Sequence, residues 1–120
     1  MDIQTLEQYG QAWNDHDIDA IMALMTADCT FDNSGGSERH GTRFQGQQAV
    51  RSQFIELLAD LPDVHFAYLT DFIEGCNGCS EWTFTATTKS GHKIEVNGCD
   101  LFTSENGKIK SKRTYMKNRS

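Results

Sequence analysis

The spacing of apolar residues changes at Pro62, and this change constrains the fold more than any other feature of the sequence. Proline cannot continue a helix, so we expect a helix that starts near Gln47 to end before Pro62. Within it, apolar residues recur with helical spacing at Val50, Phe54, Leu57, Leu58 and Leu61. After Pro62 the pattern is that of strands and turns. The chain is therefore predicted to combine helices with a sheet.

Four strands are predicted after Pro62, separated by turns. Residues Val64 to Glu74 carry apolar side chains on both faces, so we expect this strand to lie in the centre of the sheet. Asn77-Gly78 is typical of a type I′ hairpin turn, and Glu105-Asn106-Gly107 joins the last two strands. The other three strands are predicted over Ser80 to Thr88, His92 to Thr103 and Lys108 to Met116.

The first part of the chain is predicted to contain two helices and one strand. The first helix runs from Ile3 to Asn14, and Asp17 can cap a second, short helix. A strand follows over Ala27 to Asn33, before a loop rich in glycine and serine. Alternation places Cys29, Phe31 and Asn33 on its inner face and Thr30 and Asp32 on its outer face.

The predicted element order is ααβαββββ. We expect an α+β fold in which three N-terminal helices pack against a curved antiparallel sheet and enclose an apolar pocket. With 120 residues, the chain is predicted to form one domain over residues 1–120. A domain of this size needs no disulfide or metal to fold.

Composition and charge exclude several classes of function. A net charge of −6 argues against a nucleic-acid partner. No apolar run approaches the roughly 18 residues of a membrane span and no signal peptide is evident, so we expect no membrane partner and a cytoplasmic location. Six basic residues near the C-terminus indicate either a phosphate or partner site or the solvent-exposed face of the final strand. They are Lys108, Lys110, Lys112, Arg113, Lys117 and Arg119.

Cys76 and Cys79 form a C-x-x-C motif. Without a second pair of cysteines, this motif is weak evidence for a metal site. The two cysteines flank the predicted Asn77-Gly78 turn, so structural thiols are the favoured interpretation, with a hairpin disulfide and a metal site as alternatives. The histidines show no metal-ligand spacing, and we expect neither a metal nor a cofactor.

Several short segments resemble those of one superfamily. They are Tyr9 to Ala27, Gly36-Ser37-Glu38, Gly41 to Gly46, Asp100-Leu101-Phe102 and Gly107-Lys108-Ile109. In these segments the chain resembles the nuclear transport factor 2-like superfamily, specifically its SnoaL-like and ketosteroid-isomerase-like members, and the resemblance covers nearly the whole chain. It implies the cone-shaped, cystatin-like fold of that superfamily and a homodimer formed through the exposed face of the sheet.

The resemblance also implies acid/base chemistry, of isomerase or cyclase type, on a small apolar ligand that carries a carbonyl group. Such a reaction needs a carboxylate base beside the carbonyl and hydrogen-bond donors for the oxygen that becomes charged. The alternative is a non-catalytic ligand-binding or protein-assembly domain of the same fold, because one fold serves many functions.

Two hydrogen-bond donors of the site follow from the resemblance. Tyr9 takes the position of the family's donor tyrosine, and Asp100 takes the position of its protonated aspartate. Independently, Asp100 shares a strand face with Val96 and Phe102, so we expect it to be buried and to face the pocket. A carboxyl group there is either protonated or paired with a neighbour such as Arg113.

The catalytic base is the position at which the chain departs from the family. The ungapped match places this base on Asn33, which cannot accept a proton at neutral pH. Asp32 immediately precedes it and is predicted to face outward, unless a bulge near Gly35 turns it inward. Asp32 therefore stays a candidate catalytic residue, together with Asp100 and Tyr9.

The pocket is predicted to be lined mainly by aromatic residues. His40 lies in the loop between the first strand and the third helix, where it would border the mouth of the pocket. The expected ligand-binding residues are Asn33, Trp13, Phe31, Phe54, Trp82, Phe84, Phe102 and His40.

Overall fold

A computed structural model describes residues 1–119, and in this range it contains three helices. They are α1 (Ile3–Asn14), α2 (Ile18–Ala23) and α3 (Gln47–Asp60). The Asp2 side chain caps α1 by accepting a hydrogen bond from the backbone N–H of Thr5, and Asp17 caps α2 in the same way. α3 ends before Pro62. The three predicted helices are therefore confirmed.

Six strands form one sheet within the described residues. They are β1 (Met25–Glu38), β2 (Gly41–Gln45), β3 (His65–Glu74), β4 (Asn77–Thr87), β5 (Lys93–Glu105) and β6 (Lys108–Met116). The strand order is β2-β1-β6-β5-β4-β3. Neighbouring strands are antiparallel except β1 and β6, which are parallel, so the sheet is mixed where the sequence predicts an antiparallel one.

The β1–β2 hairpin is an element that the sequence analysis does not predict. In place of a loop after Asn33, β1 continues to Glu38, and the segment Gly41–Gln45 pairs with it as β2. The pairing register shifts between Asn33 and Glu38. The element order is therefore ααββαββββ. The hairpin carries no alternating apolar pattern, because glycine and serine fill the end of β1.

β3 lies at an edge of the sheet, and the prediction that it is central is wrong. It pairs only with β4. Phe66 is buried under the helices, but Leu69 and Phe72 are 54% and 58% exposed. β3 therefore has apolar residues on both faces because some of its apolar side chains are exposed, and not because the strand is buried on both sides.

The turn between β3 and β4 lies two residues before the predicted Asn77-Gly78 turn. Glu74 pairs with Asn77, so Gly75 and Cys76 form the turn. Gly75 has a φ of 60°, a left-handed conformation that glycine adopts without steric cost. The turn between β5 and β6 is confirmed, because Asn106 and Gly107 both have positive φ, as a type I′ turn requires.

The cysteines are free thiols in the part of the chain that the structure describes. Cys76 is exposed at the turn and Cys79 is buried in β4, so the C-x-x-C motif is not closed by a disulfide. Among residues 1–119, no group of three or more His, Cys, Asp or Glu side chains is arranged to hold a metal ion. No helix within that range is long and apolar enough to span a membrane.

The helices cover one face of the sheet, called here the inner face, and bury aromatic residues against it. Trp13 of α1 lies edge-on to Phe54 of α3, with ring centroids 4.7 Å apart. Phe66 of β3 contacts Trp82 of β4 in the same geometry, with centroids 5.0 Å apart. Edge-to-face packing is a preferred arrangement of aromatic rings. The face of the sheet away from the helices is the outer face.

A β-bulge interrupts β6 near its start. Ser104 and Thr103 are consecutive in β5, and they pair with Ile109 and Ser111 of β6. Lys110 is therefore an extra residue between two successive pairs. Because side chains alternate between faces along a strand, one extra residue shifts the alternation of the rest of β6 by one position.

The bulge separates two lysines that the sequence places on one solvent-exposed face. Lys110 stays outside, where its ammonium group pairs with Asp28 and Glu105 at 3.1 and 3.2 Å. Lys112 instead faces inward, and its side chain is only 5% exposed. The interpretation of the basic residues as a solvent-exposed face therefore holds for Lys110 and is wrong for Lys112.

Candidate functional site

A cavity of about 220 Å³ lies between the helices and the inner face of the sheet. The helices supply the apolar wall residues Trp13 and Leu57, and Leu61 follows directly after α3. The sheet supplies Phe31, Phe66, Trp82, Phe84, Ile94 and Met116. The polar residues that line the cavity are Asn33, Ser34, Asp100, Lys112 and Thr114. An apolar cavity with a few convergent polar groups is the usual form of a small-molecule site.

Asp100 lies on the floor of the cavity and is 3% exposed, as the sequence predicts. Its Oδ2 accepts hydrogen bonds from Nε1 of Trp82 at 3.1 Å and from Nζ of Lys112 at 3.3 Å. Its Oδ1 accepts one from the Thr114 hydroxyl at 2.6 Å. Three donors therefore surround the carboxyl group, and one of them is the amino group of Lys112. This arrangement is the paired alternative of the sequence analysis, with Lys112 as the partner in place of Arg113.

The ammonium group of Lys112 is enclosed by aromatic rings. Its Nζ lies 4.7 Å from the ring centroid of Trp13 and 5.2 Å from that of Tyr9. The rings of Phe54 and Phe31 follow at 5.6 and 5.8 Å. These distances are those of cation–π contacts. Burial nevertheless lowers the pKa of Lys112 from its ordinary value, although the Asp100 carboxylate opposes this effect.

Asn33 faces the cavity, as strand alternation predicts. Its side-chain oxygen accepts a hydrogen bond from the backbone N–H of Ser34 at 2.8 Å. The amide nitrogen has no hydrogen-bond acceptor among residues 1–119, so it can donate to a ligand oxygen. Asn33 therefore presents a hydrogen-bond donor to the cavity, at the position that the resemblance assigns to the base.

Tyr9 is buried, but its hydroxyl group does not line the cavity. The hydroxyl donates to the sulfur of Met25 at 3.6 Å, and burial raises the pKa of Tyr9 well above its ordinary value. The ring packs edge-on against Phe102 and under the ammonium of Lys112. The Tyr9 ring thus packs against the ammonium group of Lys112, and its hydroxyl group does not donate to the cavity as the resemblance implies.

Asp32 lies on the outer face of the sheet, away from the cavity. Both of its carboxylate oxygens accept hydrogen bonds from Arg43 of β2, at 2.7 and 2.9 Å. These bonds hold the pKa of Asp32 below its ordinary value. The structure therefore does not support Asp32 as a catalytic base, because the irregular end of β1 does not turn it inward.

Three of the residues predicted to bind the ligand do not line the cavity. Phe54 is fully buried behind Trp13 and Phe31, so it supports the wall without reaching the space inside it. Phe102 packs against Tyr9. His40 is exposed at the β1–β2 turn, because the hairpin carries it away from the mouth of the pocket. The other five predicted residues, Trp13, Phe31, Asn33, Trp82 and Phe84, do line it.

Lys112 is the most consequential residue that the sequence analysis misses. One signal points to it: Ile109 and Met116 are both apolar but lie an odd number of positions apart in the same strand. A regular strand would place them on opposite faces, so a bulge is needed to bury both. Such a bulge turns Lys112 inward together with Met116.

Comparison with known families identifies the fold. The profile of the SnoaL-like domain family matches residues 6–112. The chain belongs to this family. A search of the curated proteins found no significant match to this SnoaL-like domain.

Solved structures agree with the SnoaL-like assignment. A Catenulispora acidiphila protein with a ketosteroid isomerase-like fold, crystallised with trimethylamine, superposes with a TM-score of 0.84 at 17% identity, over 96% of this chain and 86% of that one. TerC, co-crystallised with polyporic acid, gives 0.83 at 17% identity over 96% and 90%. A Mesorhizobium loti protein of the nuclear transport factor 2-like fold gives 0.78 at 23% identity over 96% and 89%. At these identities the likeness shows the fold.

Gly98 of this SnoaL-like domain leaves room for the indole that holds Asp100. A Cβ atom at Gly98 would lie 2.7 Å from the Trp82 ring and would also clash with the backbone carbonyl of Tyr115. Gly98→Ala is therefore expected to lower the free energy of unfolding by about 1–3 kcal/mol, measured by urea denaturation. Gly35→Ala is the matched control, because no atom lies within 4 Å of its added Cβ. Equal denaturation midpoints for the two variants would contradict this prediction.

Proposed function

We propose that this SnoaL-like chain acts as one domain that binds a small apolar compound with a carbonyl group and catalyses acid/base chemistry of isomerase or cyclase type on it. One observation carries the proposal: the Lys112–Asp100 ion pair is buried where it lines an apolar cavity. Apolar walls favour an apolar ligand, while the pair provides both a proton acceptor and a hydrogen-bond donor for a polarised oxygen.

The volume of the cavity limits the size of the ligand. An apolar cavity of about 150 Å³ is large enough to hold benzene, whereas sites for drug-sized molecules have roughly 300–1,000 Å³. The cavity here has about 220 Å³. A compound with one ring and a short carbonyl-bearing substituent fits this space.

Asp100 and Lys112 take distinct roles in the proposed chemistry. The Asp100 carboxylate removes a proton from the carbon beside the carbonyl group, because it is the carboxyl group that lines the cavity. Lys112 has three N–H donors and uses one on Asp100, so another can reach the ligand oxygen. The Asn33 amide adds a second donor. In an apolar site such donors stabilise an enolate strongly, because little water screens them.

This assignment differs from the one that the resemblance implies. There, a tyrosine and a protonated aspartate hold the oxygen, and a separate aspartate is the base. Here Tyr9 bonds Met25 and Asp32 bonds Arg43, so neither is available. Asp100, the buried carboxylate that lines the cavity among residues 1–119, becomes the base, and a lysine becomes the donor.

Two structural neighbours support a small-molecule site in this fold. The Catenulispora acidiphila protein was crystallised with trimethylamine and TerC with polyporic acid, which are both small organic molecules. In this chain the rings of Tyr9 and Trp13 already surround a cation, the ammonium group of Lys112. We therefore favour a ligand that presents an oxygen to Lys112 over one that presents a cation.

A non-catalytic binding domain is the second candidate function. The observation in its favour is Asn33, an amide at the position of the family's base. In that case the cavity would bind the same class of compound, and Asp100 would serve only to neutralise Lys112. The two candidates differ in turnover and not in binding.

Exchange of α-protons distinguishes the two candidates. Acetophenone carries one ring, a carbonyl group and exchangeable α-protons, and exchange in deuterated water is followed by proton NMR. We expect the protein to accelerate exchange above the rate in buffer with an equal concentration of free lysine and acetate. Binding of acetophenone without acceleration would favour the binding domain, and the absence of binding would contradict both candidates.

We also propose that the chain forms a homodimer through the outer face of its sheet. Phe72, Cys79 and Leu101 are cross-strand neighbours there, and the exposed Tyr115 lies two strands from Cys79. Phe72 and Tyr115 are 58% and 55% exposed, so each offers an aromatic side chain to a second copy of the chain.

Sedimentation at micromolar concentration is expected to show a dimer of the 13.5 kDa chain. Phe72→Glu should produce monomers, because a carboxylate would be buried in the interface. Ile55→Glu is the control: Ile55 is similarly exposed, at 48%, but lies on α3 away from the sheet face. A wild-type protein that sediments only as a monomer would contradict the dimer.

A further inference from the structure

The amino nitrogen of Lys112 has one charged neighbour and no other hydrogen-bond partner among residues 1–119. That neighbour is Asp100, at 3.3 Å. The remaining surroundings of the nitrogen are the rings contributed by α1, α3 and β1. The same lysine lines the cavity. The site thus combines a nucleophilic atom, an acid/base partner and space for a substrate.

We propose that Lys112 forms a covalent imine with an aldehyde or ketone bound in the cavity. The inference rests on the carbonyl preference of the proposed function and adds a covalent step to it. Lysine becomes a good nucleophile towards carbonyl compounds when it is desolvated in an apolar pocket, because the unprotonated amine carries the lone pair that attacks. A buried lysine beside an apolar cavity meets this requirement.

The pKa values of Lys110 and Lys112 are shifted in opposite directions. Burial lowers the pKa of Lys112, whereas hydrogen bonds to Asp28 and Glu105 raise the pKa of Lys110. Lys112 is therefore the free amine at a pH where Lys110 is still an ammonium ion. The two lysines occupy the same strand, so Lys110 is an internal reference for the reactivity of Lys112.

The proposed step begins with transfer of a proton from Lys112 to Asp100 along their hydrogen bond, which leaves a neutral amine beside a carboxylic acid. The nitrogen attacks the carbonyl carbon, the C–N bond forms, and the carbonyl oxygen takes the proton of Asp100. Asp100 then removes a proton from the nitrogen and delivers it to the new hydroxyl group, which leaves as water when the C–O bond breaks. The products are a protonated imine, the Asp100 carboxylate and one water molecule, so atoms and charges balance.

Two neighbours position Asp100 for this proton transfer. The Thr114 hydroxyl holds Oδ1 and the Trp82 indole holds Oδ2, so the carboxylate cannot rotate away from Lys112 without losing a hydrogen bond. Thr114 also lines the cavity. The carboxylate is therefore held between the lysine and the space where the carbonyl oxygen would lie.

Reductive trapping tests the proposal on the wild-type protein. Benzaldehyde and sodium cyanoborohydride convert an imine into a stable benzylamine, and peptide mass spectrometry locates the modified lysine. At neutral pH we expect Lys112 to react faster than Lys110, by about tenfold for each unit that separates their pKa values. Benzyl alcohol has the same ring without a carbonyl group, so it should protect Lys112 without being attached.

Lys112→Arg is the matched variant, since arginine keeps a cation beside Asp100 but forms no imine under these conditions. This variant should show no modification at position 112, while Lys110 should be modified as in the wild-type protein. Binding of benzyl alcohol, followed by fluorescence of Trp13 and Trp82, separates the possible failures. If benzyl alcohol binds but Lys112 is not labelled, the covalent step is wrong and the proposed binding function stands. If neither benzyl alcohol binding nor Lys112 labelling occurs, both are wrong.

Discussion

Asp100→Asn is expected to slow α-proton exchange from acetophenone by about 10²–10⁴-fold, the usual contribution of a general base. Asparagine has nearly the same shape as aspartate, and its oxygen can still accept a hydrogen bond from Thr114 or Trp82. An amide cannot take up the proton, however. The rate is measured by proton NMR at a saturating concentration of ketone, so that a loss reports on the chemical step and not on binding.

Asp32→Asn is the matched control for this experiment. Asp32 is also a buried aspartate, 5% exposed, but it lies on the outer face and is bound by Arg43. Its substitution should leave the exchange rate close to the wild-type rate, because Asp32 does not line the cavity. Loss of exchange in Asp32→Asn with retention in Asp100→Asn would contradict the assignment of Asp100 as the base.

Lys112→Met is expected to lower the free energy of unfolding by about 3–5 kcal/mol, the usual cost of breaking a buried ion pair. Methionine replaces the aliphatic part of the lysine with little change of volume, so the loss reports mainly on charge. Asp100, which is 3% exposed in the wild-type protein, loses its cationic partner in this variant. Urea denaturation at neutral pH measures the change.

The double variant Lys112→Met/Asp100→Asn should recover most of this loss, because it removes both charges while the introduced asparagine retains a hydrogen bond. The control is Lys110→Met, whose ion pairs with Asp28 and Glu105 are solvent-exposed and should contribute about 0–1 kcal/mol. A double variant as unstable as Lys112→Met alone would show that the two groups are not energetically coupled.

The stability of the wild-type protein should also vary with pH through Lys112. Burial lowers the pKa of Lys112 in the folded state, so between that pKa and the ordinary value of 10.5 the folded chain binds fewer protons than the unfolded chain. The free energy of unfolding therefore rises with pH across this interval, relative to that of the Lys112→Met variant. Denaturation midpoints of both proteins, compared from neutral to alkaline pH, measure the difference.

The spacing of apolar residues along the sequence was sufficient to predict the features of this protein that depend only on neighbouring residues in the chain. The helix before Pro62 follows from apolar spacing and a proline stop, and it is present as α3. Strand alternation correctly placed Asp100 and Asn33 towards the cavity and Asp32 away from it. These predictions succeed because the period of a helix or strand is set by the backbone itself.

The features that local pattern did not predict depend on pairing between distant segments. Whether β3 is central or at an edge depends on the partner strands that the chain offers elsewhere, and apolar residues on two faces fit both cases. The ion pair of Asp100 depends on Lys112, which lies in another strand and faces inward only because of the bulge at Lys110. A bulge is defined by its partner strand, so a single strand considered alone does not reveal it.

The pairing of β6 makes the chemistry of the cavity sensitive to the length of the chain as well as to its composition. Deletion of Lys110 would restore strict alternation along β6 and leave Lys112, Thr114 and Met116 facing inward, because these residues would keep their partners in β5. Deletion of one residue after the bulge, such as Arg113, would instead turn Thr114 and Met116 outward and Tyr115 inward. A point mutation changes one side chain of the cavity, whereas the loss of a single codon at Arg113 changes several of them at once. In the evolution of this fold, short insertions and deletions in the last strand are therefore a direct route to a pocket with different reactivity.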